Sequence, residues 1–217
     1  GMLLANNVDT NPPTMGDDAA LTEPIVIAQL SVLQTEGAAI KAELLAGPVT
    51  ATMHRPQGPE LDGAVDATLI AHEFGHYLHH RLQPCNSRLC AAISEGWGDF
   101  LALLLIARDG DDLTKAYPFA VYATRTFSSD AEYFGIRRAP YSVNQAINAL
   151  SFRHMSAGAV LPTTHPFLVF GAPQEVHNAG EIWTAAMWEA YVALQQARGT
   201  ATFEATRTRM AAYVVAG

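Results

Sequence analysis

Charged side chains are scarce in this sequence, and no long apolar run takes their place. Only 16% of the 217 residues are Asp, Glu, Lys or Arg, against 49% hydrophobic, and mean hydropathy is slightly positive. That balance excludes a disordered chain and implies extensive burial. The apolar stretches are short and interrupted, below what a bilayer span needs. Basic residues are outnumbered 13 to 21, for a net charge of −8, so nothing favours nucleic acid or an anionic membrane surface as a partner. Internal repeats and low-complexity tracts are absent. No leader is visible: Gly1-Met2 reads as a scar of expression, and Val214-Val215-Ala216-Gly217 as an abrupt stop. The expectation is a piece of a longer protein, in which a missing leader says nothing about compartment.

Cysteine is nearly absent too. Cys85 and Cys90 lie five positions apart in a turn-like segment, which fits either a small-loop disulfide or two free thiols. A structural zinc knuckle would need two further ligands, for which His79 and His80 are the only candidates nearby.

In chain order, the Asn-, Asp-, Pro- and Gly-rich residues 1–23 read as an irregular lead-in, followed by one core over 24–217. Ile25 to Ala28 is a short strand or the start of a helix that continues to about Leu45 and ends at Gly47-Pro48. Val49 to His54 is the best strand candidate, closed by a loop over 55–59. Asp62 or Asp66 caps a helix to about Leu82, with Ala67, Ile70, Ala71, Phe74 and Leu78 on one apolar stripe. Gly75 inside it costs roughly 1 kcal/mol relative to Ala, which implies close approach by another segment. A second helix, about Ala92 to Ala107, is apolar nearly all round and therefore central. A turn follows at Arg108 to Asp112, and a loop with short helical turns over 113–140. Ser142 caps a helix over about 143–152, a Pro/Gly-rich loop covers 156–174, and helices over about 176–198 and 203–214 finish the chain. The fold class is α+β, predominantly helical, with a minimal sheet before the first long helix.

The chemistry concentrates in His72-Glu73-Phe74-Gly75-His76 and in Glu95, nineteen residues beyond His76. On a helix, His72 and His76 share a face one turn apart. Two imidazoles supply two zinc ligands, and Glu73 beside the first can act as general base. Glu95 completes the set, leaving one position for a water activated by Zn2+. Asp99, one turn beyond Glu95, is placed to accept the free ring N–H of His72 and fix its tautomer. Two carboxylates on a greasy helix would cost several kcal/mol each if unpaired, so something cationic must meet them. His177 is the first candidate for stabilising the oxyanion, Tyr141 the second and His165 the third. Glu181, on the face of His177, is expected to support the ligands from behind. His54, His79, His80 and His154 read as surface or supporting histidines, and Trp97, Trp183 and Trp188 as core, Trp97 also lining the cleft.

The chain resembles the gluzincin metallopeptidases and is most similar to the fungalysin family. The resemblance rests on Leu61-Asp62-Gly63, Ile70 to His76, Glu95 to Phe100, Arg138-Ala139-Pro140-Tyr141-Ser142 and Val176 to Trp183. It implies a thermolysin-like zincin catalytic domain, endopeptidase activity on peptide or protein substrates, a pro-segment and secretion, and it supports His177 beside the oxyanion. Departures from the family pattern are a short segment between His76 and Glu95 without its glycines, His79-His80 in place of small and amide residues, and Gly98 in place of serine. The expectation is therefore a zinc endopeptidase. One rival is a zinc aminopeptidase, which needs an acidic site for a free amine, and no Gly-x-Met-Glu-Asn stretch is present. Another is a non-catalytic zinc scaffold, which would not need Glu73.

Overall fold

The computed structural model describes residues 1–8, 29–53, 61–125, 130–156, 158–162 and 173–216. Residues 25–28, His54, the loop at 55–59 and His165 lie outside them, as does most of the lead-in. Contacts divide the chain into two units, Gly1–Gly58 and Pro59–Gly217.

The first unit holds a two-stranded parallel sheet, β1 (Met2–Ala5) and β2 (Gln29–Val32), with Met2 opposite Gln29 and Ala5 opposite Val32. Helix α1 (Gln34–Ala46) follows, its start closed by a bond from Leu33 N–H to the Glu36 carboxylate. Two expectations are corrected here. Part of the irregular lead-in is a strand, because Met2–Ala5 has a neighbour to pair with. Residues 49–53 of the candidate strand are not in one, since β-branched composition without a partner leaves the backbone bonds unmade.

The second unit is built on three long helices, α2 (Ala67–Leu82), α3 (Arg88–Ile106) and α6 (Val176–Gln196). Both candidate caps are used. Asp62 accepts from Ala64 N–H in a 3-10 turn over Gly63–Val65, and Asp66 accepts from Thr68 and Leu69 N–H at the start of α2. Ser87 and Glu175 cap α3 and α6 in the same way. Short helices α4 (Val121–Thr124) and α5 (Ala131–Phe134) interrupt the connection from α3, and α7 (Phe203–Ala216) ends the described chain. The core forms where α3 meets α6: Phe100, Leu103 and Leu104 pack with Trp188, Tyr191, Val192, Phe119, Tyr141, Phe203 and Met210. By length and composition alone α3 would reach across a membrane, but half of its apolar window is buried inside the protein.

The face that α2 turns inward is only partly its apolar stripe. Ala71, His72, Gly75 and His79 are buried, whereas Ile70 and Phe74 are about half exposed, at 53% and 51%. The reason is the approach of α3. A Cβ on Gly75 would stand 2.7 Å from the Gly98 Cα, so only this face lets the two backbones meet. Of the two buried histidines, His72 finds polar partners on α3 in Asp99 and Glu95, which offset the cost of its burial.

The helix expected over 143–152 does not form. Ser142 Oγ and the Asn144 and Asn148 side chains accept from the N–H groups of Asn144, Ala146 and Leu150, bending the chain into turns. Only a 3-10 turn, Phe152–Met155, appears, with His154 buried inside it rather than on the surface. Cys85 and Cys90 are joined in a disulfide that ties the α2–α3 connection. The buried His79 lies beside them, but the bond occupies both sulfurs.

Candidate metal centre

Helices α2 and α3 cross on their glycines and bring His72, His76 and Glu95 together, with one donor atom of each within 4.8 Å of the others. His72 Nε2 lies 3.3 Å from Glu95 Oε2, and His76 Nε2 lies 3.6 Å from Glu95 Oε1. Helix α6 closes on Glu95 from behind. A Cβ on Gly180 would stand 2.6 Å from the Glu95 Cβ, so α6 packs directly against the residue it supports.

The other ring nitrogens face away from Glu95. His72 Nδ1 is 2.7 Å from Asp99 Oδ1. His76 Nδ1 is 2.8 Å from Ser94 Oγ, which is itself 3.1 Å from His80 Nε2. Asp99 receives Arg137 through both Nε and Nη2, at 2.7 Å each, and the Tyr141 hydroxyl. Arg137 and Tyr141 reach it because residues 136–141 are pinned by backbone bonds between Ile136 and Phe119 and between Tyr141 and Tyr117. Gly135 makes that approach possible: its φ is +61°, and a Cβ there would collide with the Phe119 carbonyl.

Electrostatics favour a cation in the centre. Burial alone would raise the Asp99 carboxyl, but Arg137 and His72 outweigh it and hold it well below the ordinary carboxylate range. Burial opposes charge on Glu95 as well, yet His72, His177 and His76 keep its pKa low. Burial would lower His72, but the Asp99 and Glu95 carboxylates hold it up to about 9. His76 is pushed down by burial and by His72 beside it. Because Asp99 can only accept, His72 Nδ1 carries the hydrogen, and a neutral His72 turns a bare Nε2 toward a carboxylate oxygen. Glu95 Oε2 is buried against His72 Nε2.

The remaining candidates divide. Glu73 is exposed on α2 next to His72, and its charge is felt at His76. His177 enters from α6, its side chain 53% exposed, with Nδ1 2.7 Å from Glu175 Oε1 and Nε2 3.4 Å from Glu95 Oε1. Tyr141 needs correction as a donor to substrate: it is 1% exposed and its hydroxyl is on Asp99, behind the histidines. Glu181 accepts from the buried Arg138, from its backbone N–H and its Nε, at 3.0 and 2.8 Å, so it holds the 136–141 segment on α6 rather than supporting His72 or His76. Trp97 lines a cavity of about 670 Å³ with Trp183 and Leu89, on the side where the ring of His79 also lies. Ser94, Glu175 and Arg137 were not anticipated. For Ser94 the signal was a hydroxyl beside Glu95; for Arg137 it was the demand for a cation near Asp99.

The whole arrangement falls inside a matched family. Residues 25–216 match the family described as fungalysin metallopeptidase (M36). The chain is 30% identical over 138 residues to the extracellular metalloproteinase mep of Aspergillus terreus, covering 60% of this chain and 18% of that protein. It is 31% identical over 138 residues to extracellular metalloproteinase 9 of Coccidioides posadasii, with the same coverage. Extracellular metalloproteinase 9 of Uncinocarpus reesii is 30% identical over 145 residues, 64% of this chain and 19% of that protein. The chain thus spans about a fifth of the length of the curated relatives it matches. With its His-Glu-x-x-His helix, its Glu95 and the match over nearly its whole length, the chain belongs to the fungalysin metallopeptidase family.

Proposed function

We propose that His72, His76 and Glu95 hold a zinc ion and that the chain carries the centre of a thermolysin-like endopeptidase, with residues 24–217 as the core of its catalytic domain. The observation that supports this most strongly is the convergence of one donor atom each from His72, His76 and Glu95 within 4.8 Å, with His72 Nε2 3.3 Å from Glu95 Oε2. With its pKa held up against burial by Asp99 and Glu95, His72 keeps a proton facing that carboxylate in the metal-free chain, and a bound cation would take the proton's place. Two imidazoles and one carboxylate form a donor set that suits Zn2+. When bound, zinc supplies Lewis acidity, polarising the scissile carbonyl and making water acidic near neutral pH.

The chain's own residues supply the rest. Glu73, open to solvent beside His72, takes a proton from the attacking water and passes it to the departing amine. His177 offers Nε2 at the mouth of the site while Glu175 steadies its other nitrogen, which suits a donor to the developing oxyanion. Asp99 fixes the tautomer of His72. Peptides or proteins are the substrates. Secretion is supported by the relatives, which are named extracellular metalloproteinases, and by the disulfide.

The test uses the zinc-loaded chain with one peptide in free-amine and N-acetylated forms. Both are expected to be cleaved internally at similar rates, and Glu73→Gln to lower the rate by about 10²- to 10⁴-fold. Hydrolysis unchanged in Glu73→Gln removes the general base, and cleavage of the free-amine peptide alone turns the reading to an aminopeptidase.

A further inference from the structure

We propose that Arg137 and Tyr141 are positioning residues for His72, acting through Asp99; the inference rests on His72 being a metal ligand. Asp99 is 1% exposed and its carboxylate is saturated. Oδ1 takes His72 Nδ1 and Arg137 Nη2, and Oδ2 takes Arg137 Nε and the Tyr141 hydroxyl. The two-pronged guanidinium contact fixes the plane of the carboxylate, which a single donor would leave free to turn. The Tyr141 hydroxyl occupies the far oxygen, so Oδ1 stays directed at the imidazole.

Phe119 completes the clamp. The Arg137 guanidinium lies 4.8 Å over its ring, and the His72 ring is 5.3 Å from it. Neither Arg137 nor Tyr141 opens to the solvent side of the site, and among the described residues the polar partners of Glu95, His76 and His177 do not include them. Their hydrogen bonds to the centre therefore pass through Asp99. His76 is held differently: its partner is the Ser94 hydroxyl, a single rotatable group shared with His80. The structure assigns His72 as the rigid ligand of the pair and His76 as the adaptable one.

The test is a double-mutant cycle read by Zn2+ affinity in competition with a chromophoric chelator. Tyr141→Phe keeps the ring and the fold, and is expected to weaken Zn2+ binding about tenfold in the natural chain. In an Asp99→Asn background the same substitution is expected to change it less than about twofold, because the route through the carboxylate is already cut. Equal losses in both backgrounds, or no loss in the natural chain, overturn the proposal. Arg137→Lys, which keeps the charge and loses the fork, should fall between the natural chain and Asp99→Asn; affinity equal to the natural chain argues against the clamp. The metal-free chain gives an independent readout in the ring-nitrogen NMR of His72. Its Nδ1–H signal should shift in Tyr141→Phe while the ring-nitrogen signals of His154, whose Nδ1 accepts from Ser151 N–H, stay in place, and an unmoved His72 signal overturns the inference. A natural chain that takes up no zinc at all would instead overturn the metal-site reading, leaving the NMR comparison to decide this one.

Discussion

His72 Nδ1 stands 2.7 Å from Asp99 Oδ1, joining helices α2 and α3 across 27 positions of sequence. This contact decides which nitrogen of the first histidine faces Glu95. Replacing Asp99 with Asn leaves an amide that can present either its oxygen or its NH2 group to the ring, so the tautomer is no longer imposed. Asp99→Asn is therefore expected to weaken Zn2+ binding by about 10- to 100-fold. Chelator competition measures it, with circular dichroism confirming that the helices remain.

The crossing of the two helices depends on Gly75. In an exposed helix, Gly to Ala would stabilise by about 1 kcal/mol. Here the added methyl would meet the Gly98 Cα at 2.7 Å and its N at 3.0 Å, backbone atoms that cannot swing aside. Gly75→Ala is expected to destabilise by about 1–3 kcal/mol, as overpacking does. Urea unfolding read by tryptophan fluorescence checks the sign; a stabilised variant would mean that the helices are not in contact there.

Asp66 links stability to pH. Its carboxylate accepts from Thr68 and Leu69 at the start of α2 and from Ala123 N–H across the connection. Burial raises its pKa, but these bonds, with the Thr68 hydroxyl, outweigh burial and hold it below its ordinary value. A depressed carboxyl contributes stability that is fully present above the unfolded value near 3.9 and is lost as pH falls through the folded one. Asp66→Ala is expected to cost about 1–2 kcal/mol at neutral pH. The difference in urea midpoint from the natural chain should shrink steadily below about pH 4. A difference that persists unchanged into acid would show that the charge is not what Asp66 contributes.

Much of the centre was legible in local spacing. Four-residue intervals on a helix put His72 with His76 and Glu95 with Asp99, and helix periodicity does not depend on what lies elsewhere. The bounds of α2 followed from its Asp66 cap and periodic apolar positions, whereas α3 begins at Arg88 rather than the expected Ala92 because the Ser87 cap was not read. What stayed hidden was long-range. Arg137 reaches Asp99 only because Tyr117 and Tyr141 pair their backbones, and nothing near either residue in sequence announces it. Tyr141 read as a donor to substrate because a hydroxyl near a site looks available until its burial is known. The strand at 2–5 was missed because its partner lies more than twenty residues away. The close approach implied by Gly75 is where α3 meets α2, while periodicity alone could not tell that Ile70 and Phe74 on the apolar stripe stay half exposed.

The most direct measurement is calorimetric titration of the metal-free chain with Zn2+, alongside His76→Ala and Glu95→Ala. One ion per natural chain is expected, with binding weakened beyond about 100-fold in either variant. Binding that survives both substitutions, or a natural chain that binds no zinc, would contradict a centre built on His72, His76 and Glu95.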